Sequence, residues 1–176
     1  MFLSIISGCT FFEDKDQIKK LTNNEHREII NNFSIAIKRN PQNFSFYLER
    51  GRARHDYGDF MGAIVDFNYS FRLNPNSKII FYRANSKYAY GDYKGAIKDF
   101  EKLISKNFFQ NQVFYKIGSS NLILLNYLDA IKNYTEYIKY DEDEANAYLN
   151  RGDAKFKLGD YVGAINDYKK SIQVNK

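Results

Sequence analysis

A ten-residue stretch that occurs four times constrains this chain more than any other feature of its sequence. Residues 159–168 read GDYVGAINDY, and near copies, GDYKGAIKDF and GDFMGAIVDF, begin at Gly91 and Gly58. A more divergent copy, LNYLDAIKNY, begins at Leu125. The alanine of the motif lies at positions 63, 96, 130 and 164, so successive copies are 33, 34 and 34 residues apart. A fixed period of this length predicts helical hairpins that stack on one another.

The composition fits a mostly helical chain with a packed core. Of its 176 residues, 44% are hydrophobic and 17% are aromatic, which is enough apolar material for one domain or one short solenoid. Its two prolines, Pro41 and Pro75, both follow asparagine in a pair that ends helices. The net charge of +5 is modest. Either a biased nucleotide composition of the source genome or an acidic partner would account for it.

The first 24 residues precede the repeats, and we predict an apolar segment followed by a polar tether. Residues 1–8 are far too few to span a bilayer, which takes ~20 apolar residues, and no basic region precedes them. Residues 6–9, however, read ISGC and resemble a bacterial lipobox, whose cysteine is lipidated. If Met1 is not the true start, Cys9 would anchor a bacterial protein to the cell envelope. Otherwise the segment packs against the first helix, Cys9 is an ordinary cysteine, and the protein is cytoplasmic.

Apolar residues at helical spacing divide the rest of the chain into a half repeat and four hairpins. Residues 25–43 carry one apolar stripe and predict a single helix that ends at Asn40. The four hairpins are predicted at residues 44–76, 77–110, 111–144 and 145–176. A small residue lies in the middle of each first helix, where it would let the second helix pass closely, opposite the motif alanine. These small residues are Gly51, Ala84, Gly118 and Gly152.

The pattern inside each hairpin resembles the tetratricopeptide repeat. An aromatic or large apolar residue precedes the small residue by four positions, and an alanine and a second aromatic follow it by twelve and sixteen. In the last unit these four residues are Tyr148, Gly152, Ala164 and Tyr168. The resemblance covers about residues 44–176. It implies an all-α fold, a right-handed superhelical solenoid of antiparallel helix pairs, with first helices lining a concave groove and second helices forming the convex back.

Three units carry an arginine where the family usually has leucine, which makes them an arginine-bearing variety of the repeat. In each of them an aspartate follows sixteen residues later, on the second helix, at a similar height in an antiparallel hairpin. We therefore predict one ion pair inside each of these units. The third unit has Ile117 and Asn133 at the two positions and is expected to lack the pair. The predicted pairs are Arg50 with Asp66, Arg83 with Asp99, and Arg151 with Asp167.

The sequence contains no pattern that predicts catalysis, a metal site or a cofactor site. His26 and His55 stand alone, with no carboxylate or cysteine at metal-ligand spacing. The glycines mark turns and packing positions, and no phosphate-binding loop is present. The acidic run at residues 141–144 lacks the pattern of a calcium loop and precedes a predicted helix, where negative charge is favourable. We expect no enzyme.

The resemblance instead implies an interaction module that binds a protein or an extended peptide in its groove, as a scaffold or adaptor. Aromatic side chains interleaved with Lys and Arg suit such a ligand, although any single aromatic residue could instead pack between hairpins. Some members of the family clamp a chaperone's C-terminal carboxylate, but of those places only the last basic one, Lys116, is kept here. The predicted groove residues are Arg52, His55, Phe81, Tyr82, Asn85, Tyr88, Tyr115, Lys116, Ser119, Asn150 and Phe156.

Two further hypotheses follow from charge and from the end of the chain. A nucleic-acid-binding repeat protein that uses the basic excess and the aromatic faces is the alternative function. It is disfavoured because Lys and Arg alternate with Asp and Glu in every unit. The sequence ends directly after the fourth predicted second helix, so self-association through an uncovered apolar end is also predicted.

Overall fold

The computed structural model describes residues 22–175, and this part of the chain is all α-helical, with no β-strand. The expected all-α class is confirmed. Residues 1–21 and Lys176, and with them the hypothesis about Cys9, lie outside the described residues. The helices are α1 (Asn23–Arg39), α2 (Phe44–Tyr57), α3 (Phe60–Leu73), α4 (Ser77–Tyr90), α5 (Tyr93–Ile104), α6 (Gln110–Ile123), α7 (Tyr127–Ile138), α8 (Ala145–Lys157) and α9 (Tyr161–Val174).

Every helix packs against the helices before and after it in the chain, and this order of contacts is that of a repeat solenoid. The hairpins are α2/α3, α4/α5, α6/α7 and α8/α9, and each second helix also packs on the first helix of the next hairpin. The first helices α2 and α4 contact each other, as do α6 and α8. The predicted superhelical repeat fold is therefore confirmed.

The repeated motif forms the turn of each hairpin and the start of its second helix. Gly58, Gly91 and Gly159 adopt left-handed φ angles of 94°, 93° and 83°, which glycine reaches without steric cost. The aspartate that follows caps the next helix, as Asp59 does by accepting a 2.9 Å hydrogen bond from the Gly62 backbone N–H. A Cβ atom at Gly62 would collide with that carboxylate, which explains why the motif has a second glycine.

The divergent copy in the third hairpin keeps the turn but has lost its favourable residues. Leu125 takes the place of the first glycine and has a φ of 64°. Asn126 begins α7 without a side-chain capping hydrogen bond, and Asp129 stands where the other copies have their second glycine. A left-handed conformation costs a residue with a Cβ atom about 1–2 kcal/mol. The third hairpin is therefore the one with a strained turn.

Replacing Leu125 with glycine should raise the free energy of unfolding by about 1 kcal/mol, because it removes this strain at a side chain that is 67% exposed. The matched control is Leu124→Gly. Leu124 has a φ of −79°, so glycine there relieves nothing and should destabilise the protein. Urea unfolding of the two variants measures the difference. A loss of stability in Leu125→Gly would contradict the proposed strain.

The mid-helix glycines bring the two helices of a hairpin close together, as expected, but the group they face is an aromatic ring. A Cβ atom at Gly51 would lie 2.7 Å from Cε1 of Phe67, and one at Gly152 would lie 2.7 Å from Cε1 of Tyr168. These rings belong to the aromatic residue four positions after the motif alanine. At Gly152 the backbone oxygen of the motif alanine, Ala164, is also close, 3.3 Å from the Cβ position, so the ring and the alanine together occupy the space that the glycine leaves.

The three predicted ion pairs are present, and each is bidentate. Arg83 donates from Nε and Nη2 to the two carboxylate oxygens of Asp99 at 2.8 and 2.7 Å. Arg50 and Asp66 have the same geometry at 2.9 and 2.7 Å, as do Arg151 and Asp167. The side chain of Asp99 is only 2% exposed, so this pair is buried rather than a surface contact.

Each arginine also reaches the second helix of the preceding unit, a contact that was not predicted. The third guanidinium nitrogen, Nη1, donates to Ser34 from Arg50 at 3.0 Å and to Asn68 from Arg83 at 2.9 Å. Arg151 donates in the same way to Thr135 at 3.1 Å. One arginine thus connects three consecutive helices and links the ion pair of its own hairpin to the neighbouring one.

Candidate functional site

All eleven predicted groove residues lie on the first helices α2, α4, α6 and α8. Between these helices the described surface has three clefts, each lined by at least one predicted residue. The first, of about 240 Å³, separates α2 from α4. The second, of about 400 Å³, lies between α6 and α8, and the third, of about 540 Å³, lies near the turns of the last two hairpins.

The α2/α4 cleft contains five of the predicted residues, and it combines a cation with aromatic rings. The guanidinium carbon of Arg52 lies 5.2 Å from the ring centroid of Tyr82, and Arg52 Nη1 donates to Glu49 at 2.8 Å. Tyr82 stacks on Phe67 with a centroid distance of 5.9 Å. The residues that line this cleft are Arg52, His55, Asp56, Phe67, Phe81, Tyr82 and Asn85.

His55 forms a polar contact at the bottom of the same cleft. Its Nδ1 lies 2.8 Å from the hydroxyl of Ser86 on α4, and its ring packs edge-on against Phe60 at 5.3 Å. Burial lowers the pKa of His55, with opposing contributions from Asp56, which raises it, and Lys116, which lowers it. His55 therefore joins α2 to α4 as a mostly structural group.

Two of the predicted residues in this region make contacts that stabilise the fold itself. Phe81 contacts the rings of Phe100, Phe108 and Phe109 at centroid distances of 6.4, 6.1 and 5.1 Å. Asn85 donates from Nδ2 to the backbone carbonyl of Phe81 at 2.9 Å. Phe81 thus follows the alternative in which an aromatic residue packs between hairpins, while one side of it still lines the cleft.

Lys116 lies near the middle of the first-helix surface, where it bridges α6 and α4. Its Nζ lies 4.3 Å from the ring centroid of Tyr88, a cation–π contact. Burial lowers the pKa of its amino group. Within residues 22–175 no carboxylate lies at salt-bridge distance from Lys116, whereas Arg52 is paired with Glu49. Lys116 is therefore a half-buried cation without a salt bridge to any described residue, and the carboxylate that lines the same cleft belongs to Glu144.

The α6/α8 cleft includes Lys116, and its lining combines apolar surface with amide, hydroxyl and carboxylate groups. Tyr115 packs edge-on against Tyr134 and Tyr137 at 5.7 and 5.1 Å, and its hydroxyl accepts a 3.5 Å hydrogen bond from Nδ2 of Asn150. Burial raises the pKa of the Tyr115 hydroxyl, so it stays a neutral donor and acceptor. The lining residues are Asn111, Gln112, Tyr115, Lys116, Tyr137, Glu144 and Asn146.

Behind this cleft a buried tyrosine holds the predicted groove residues in place. The hydroxyl of Tyr134 lies 3.0 Å from that of Ser119, and its ring covers Gly118. Ser119 is buried and so contributes to the wall of the site rather than to its surface. Phe156 lies apart, in the third cleft, where it is 51% exposed and packs edge-on against Tyr161 at 5.3 Å.

Residues of the second helices also line these clefts, and the sequence analysis did not identify them. Phe67 reaches the α2/α4 cleft because Gly51 has no side chain to block it. Tyr137, at the end of α7, lines the α6/α8 cleft. The signal that could have found Phe67 is the recurrent pairing of a mid-helix glycine with an aromatic residue sixteen positions later.

The described residues contain no group of three or more metal-ligating side chains. No helix among them combines the length and apolar content that a membrane-spanning helix needs. The predicted self-association stays a prediction, and α9 exposes Val162, Ile165 and Ile172 at 73%, 51% and 66%.

The class of protein that this fold and sequence pattern define is the tetratricopeptide repeat protein. Residues 145–176, the fourth hairpin, match the family model for the tetratricopeptide repeat. The same motif recurs in the three preceding hairpins, and the chain has the superhelical fold of this class. The prediction of a tetratricopeptide repeat protein is confirmed. The comparison with curated protein sequences finds no match.

Several solved structures share the fold at low sequence identity. A crystal structure of MamA is 19% identical with a TM-score of 0.78, covering 90% of this chain and 96% of that one. MamA from Desulfovibrio magneticus RS-1, residues 41 to the end, is 15% identical with a TM-score of 0.79, and 85% of each chain is covered. YrrB, described as a TPR protein with an unusual peptide-binding site, is 14% identical with a TM-score of 0.77, covering 86% of this chain and 78% of that one.

Proposed function

We propose that this protein is a non-enzymatic interaction module that binds an extended peptide with an acidic side chain on its first-helix surface. The observation that carries the proposal is Lys116. A cation that is partly desolvated and has no salt bridge is stabilised when a ligand supplies a carboxylate. The repeat fold supports the coarser part of the proposal, a protein-interaction scaffold, because such folds are typically non-catalytic and present extended concave surfaces.

The groups around Lys116 suit the rest of such a ligand. Tyr88 and Tyr115 offer ring faces for aliphatic or aromatic side chains of the peptide. Asn146 and Gln112 line the adjacent cleft and can donate to and accept from a peptide main chain. On the other side, the α2/α4 cleft, lined in part by Phe67 and Phe81, provides a second position for an apolar side chain. An extended peptide would therefore place its acidic residue between two apolar contacts.

The test is binding of short synthetic peptides in which one glutamate is flanked by leucine or phenylalanine, compared with the same peptides carrying glutamine. Titration calorimetry should show that Lys116→Met weakens the glutamate peptide at least ~10-fold, about 1.4 kcal/mol. It should leave the glutamine peptide unchanged. The control is Lys132→Met, which removes one exposed lysine from α7 with the same change in net charge.

Two results would contradict the proposal. The first is equal affinity of the unmodified protein for the glutamate and glutamine peptides. The second is an equal loss of affinity for the glutamate peptide in Lys116→Met and Lys132→Met. Lys116 would then contribute only through the net charge of the protein. RNA or DNA binding that falls steeply with added salt and does not depend on Lys116 would favour the nucleic-acid alternative instead.

A further inference from the structure

The exposed sides of the second helices differ sharply between the first two hairpins. On α3, Met61, Val65 and Tyr69 follow one another at intervals of four residues and are 48%, 44% and 46% exposed. This spacing places them along one side of the helix. We call these three residues the apolar row. Exposed apolar side chains that are contiguous, rather than scattered singly, mark an interaction surface.

The next second helix, α5, carries lysines at the same three places. Lys94, Lys98 and Lys102 follow the residues of the apolar row by 33 positions, which is the local repeat period, and all three are exposed. We call them the lysine row. Lys102 lies 3.3 Å from the Asp99 carboxylate while its side chain is 59% exposed. Among the described residues, no carboxylate lies within salt-bridge distance of the other two lysines.

The later hairpins show that this arrangement is not a requirement of the repeat. The equivalent residues are Leu128, Lys132 and Glu136 on α7, and Val162, Asn166 and Lys170 on α9. Neither set is uniformly apolar or uniformly basic. Because all four second helices fold with such different residues here, the repeat does not require either row, and within the apolar row only Tyr69 has an aromatic packing partner, Tyr47. The contrast between α3 and α5 therefore points to a ligand.

Two residues of the apolar row, Val65 and Tyr69, line a recess, and Tyr69 is held in position by its neighbours. A cleft of about 420 Å³ is lined by side chains of α3 and by Arg83 of α4. The ring of Tyr69 stacks on Tyr47 at a centroid distance of 5.5 Å and is covered from one side by Arg72 at 4.2 Å. A rigid aromatic group beside a recess can hold an inserted apolar side chain without a large loss of side-chain entropy.

We propose that α3 and α5 form a second docking surface, separate from the peptide site, for an acidic amphipathic helix of a partner protein. The two rows are each about 12 Å long at 1.5 Å per residue, which matches about two turns of a partner helix. Apolar side chains of that helix would contact the apolar row and enter the recess, while its carboxylates would face the lysine row. The recess favours a helix over a flat membrane surface, because the apolar residues are about half covered rather than protruding.

The probe is a synthetic helix-forming peptide with leucines along one stripe and glutamates along one flank, measured by fluorescence anisotropy. A scrambled peptide of the same composition is the control ligand. The substitutions M61K/V65K give α3 the residues that α5 already has, so circular dichroism should show an unchanged fold. Tyr69 is kept because it packs on Tyr47. We expect this variant and K94E/K98E each to weaken the glutamate peptide at least ~10-fold.

The reciprocal exchange makes the test specific. A peptide with lysines in place of its glutamates should bind K94E/K98E better than the unmodified protein, whereas Lys116→Met should affect neither peptide. No measurable binding, or equal binding of the scrambled peptide, would overturn the proposal. The proposal would also be overturned if the protein bound anionic vesicles or RNA and the substitutions M61K/V65K left that affinity unchanged. A dimer in sedimentation that M61K/V65K dissociates would also overturn it, because the occupant would then be a second copy of this chain.

Discussion

Replacing Asp99 with alanine is expected to lower the free energy of unfolding by about 3–5 kcal/mol, because the partly buried Arg83 and Lys87 and the more exposed Lys102 lose their shared carboxylate. Asp99 accepts two hydrogen bonds from Arg83 at 2.8 and 2.7 Å and one from Lys87 at 2.8 Å. Burial alone would raise the pKa of the Asp99 carboxyl, but the bonds from Arg83 and Lys87 outweigh it and hold the pKa below its usual value. Urea unfolding measures the loss.

The third hairpin supplies the control for this experiment. It folds with Ile117 and Asn133 at the two positions, and Asn133 donates to the Asp129 carbonyl instead. The double variant Arg83→Ile with Asp99→Asn copies these two positions and should recover part of the stability that Asp99→Ala loses, while Lys87, whose equivalent in the third hairpin is Asn121, still lacks its carboxylate. Additive losses in the double variant would contradict this account, and so would a loss below ~1 kcal/mol in Asp99→Ala, the value typical of an exposed pair.

The regular part of the fold could be predicted because the repeat makes each unit a copy of the next. The repeat period predicted where each hairpin begins and ends. The spacing of sixteen residues between arginine and aspartate predicted that the two side chains lie side by side on the two helices of one hairpin. The additional bond from each arginine to the preceding unit could not be predicted in the same way. Its acceptors, Ser34, Asn68 and Thr135, lie 16, 15 and 16 residues before the arginine, but they share no single residue type that would mark them as partners.

The departures of the third hairpin were visible as sequence differences, but their geometry was not. Leu125 and Phe109 both adopt left-handed conformations, which neither residue type favours. Leu125 keeps the left-handed turn that glycine forms in the other hairpins, whereas Phe109 stands before α6 at a place where the other first helices have a negative φ. The sequence therefore indicated where the motif weakens, whereas only the packing of neighbouring helices determined that the turn is kept at the cost of strain.

The sequence predicted which helices carry the site residues, but it did not predict how deeply each side chain is buried. The repeat placed all eleven residues on first helices, and there the structure brings together Lys116, Tyr88 and Tyr115. It directs Ser119 inward and keeps Phe156 apart from them. A helical period specifies which face a residue is on, but the depth of its side chain depends on the size of its neighbours. The ring of Tyr134 behind Ser119 is such a neighbour.

Tyr134→Ala should also destabilise the protein by about 3–5 kcal/mol, the range for truncating a large buried aromatic side chain. Tyr134 is fully buried, its ring packs against Tyr115, and its hydroxyl lies 3.0 Å from that of Ser119. The third hairpin has no arginine–aspartate pair, so more of the contact between α6 and α7 depends on this ring. The loss is measured by urea unfolding, and hydrogen exchange should show faster opening of α6 and α7 than of α4 and α5.

The matched control, Tyr134→Phe, keeps the ring and removes only the hydroxyl, so it should cost about 1 kcal/mol. The two variants also connect the fold to the proposed peptide site. Tyr115 lies beside Lys116 and rests on the Tyr134 ring, so alanine should weaken the glutamate peptide even at temperatures where the protein stays folded, whereas phenylalanine should not. Equal stability losses in the two variants would show that the hydroxyl, not the ring, holds the hairpin. Unchanged peptide affinity in Tyr134→Ala would show that Tyr115 keeps its position without the ring behind it.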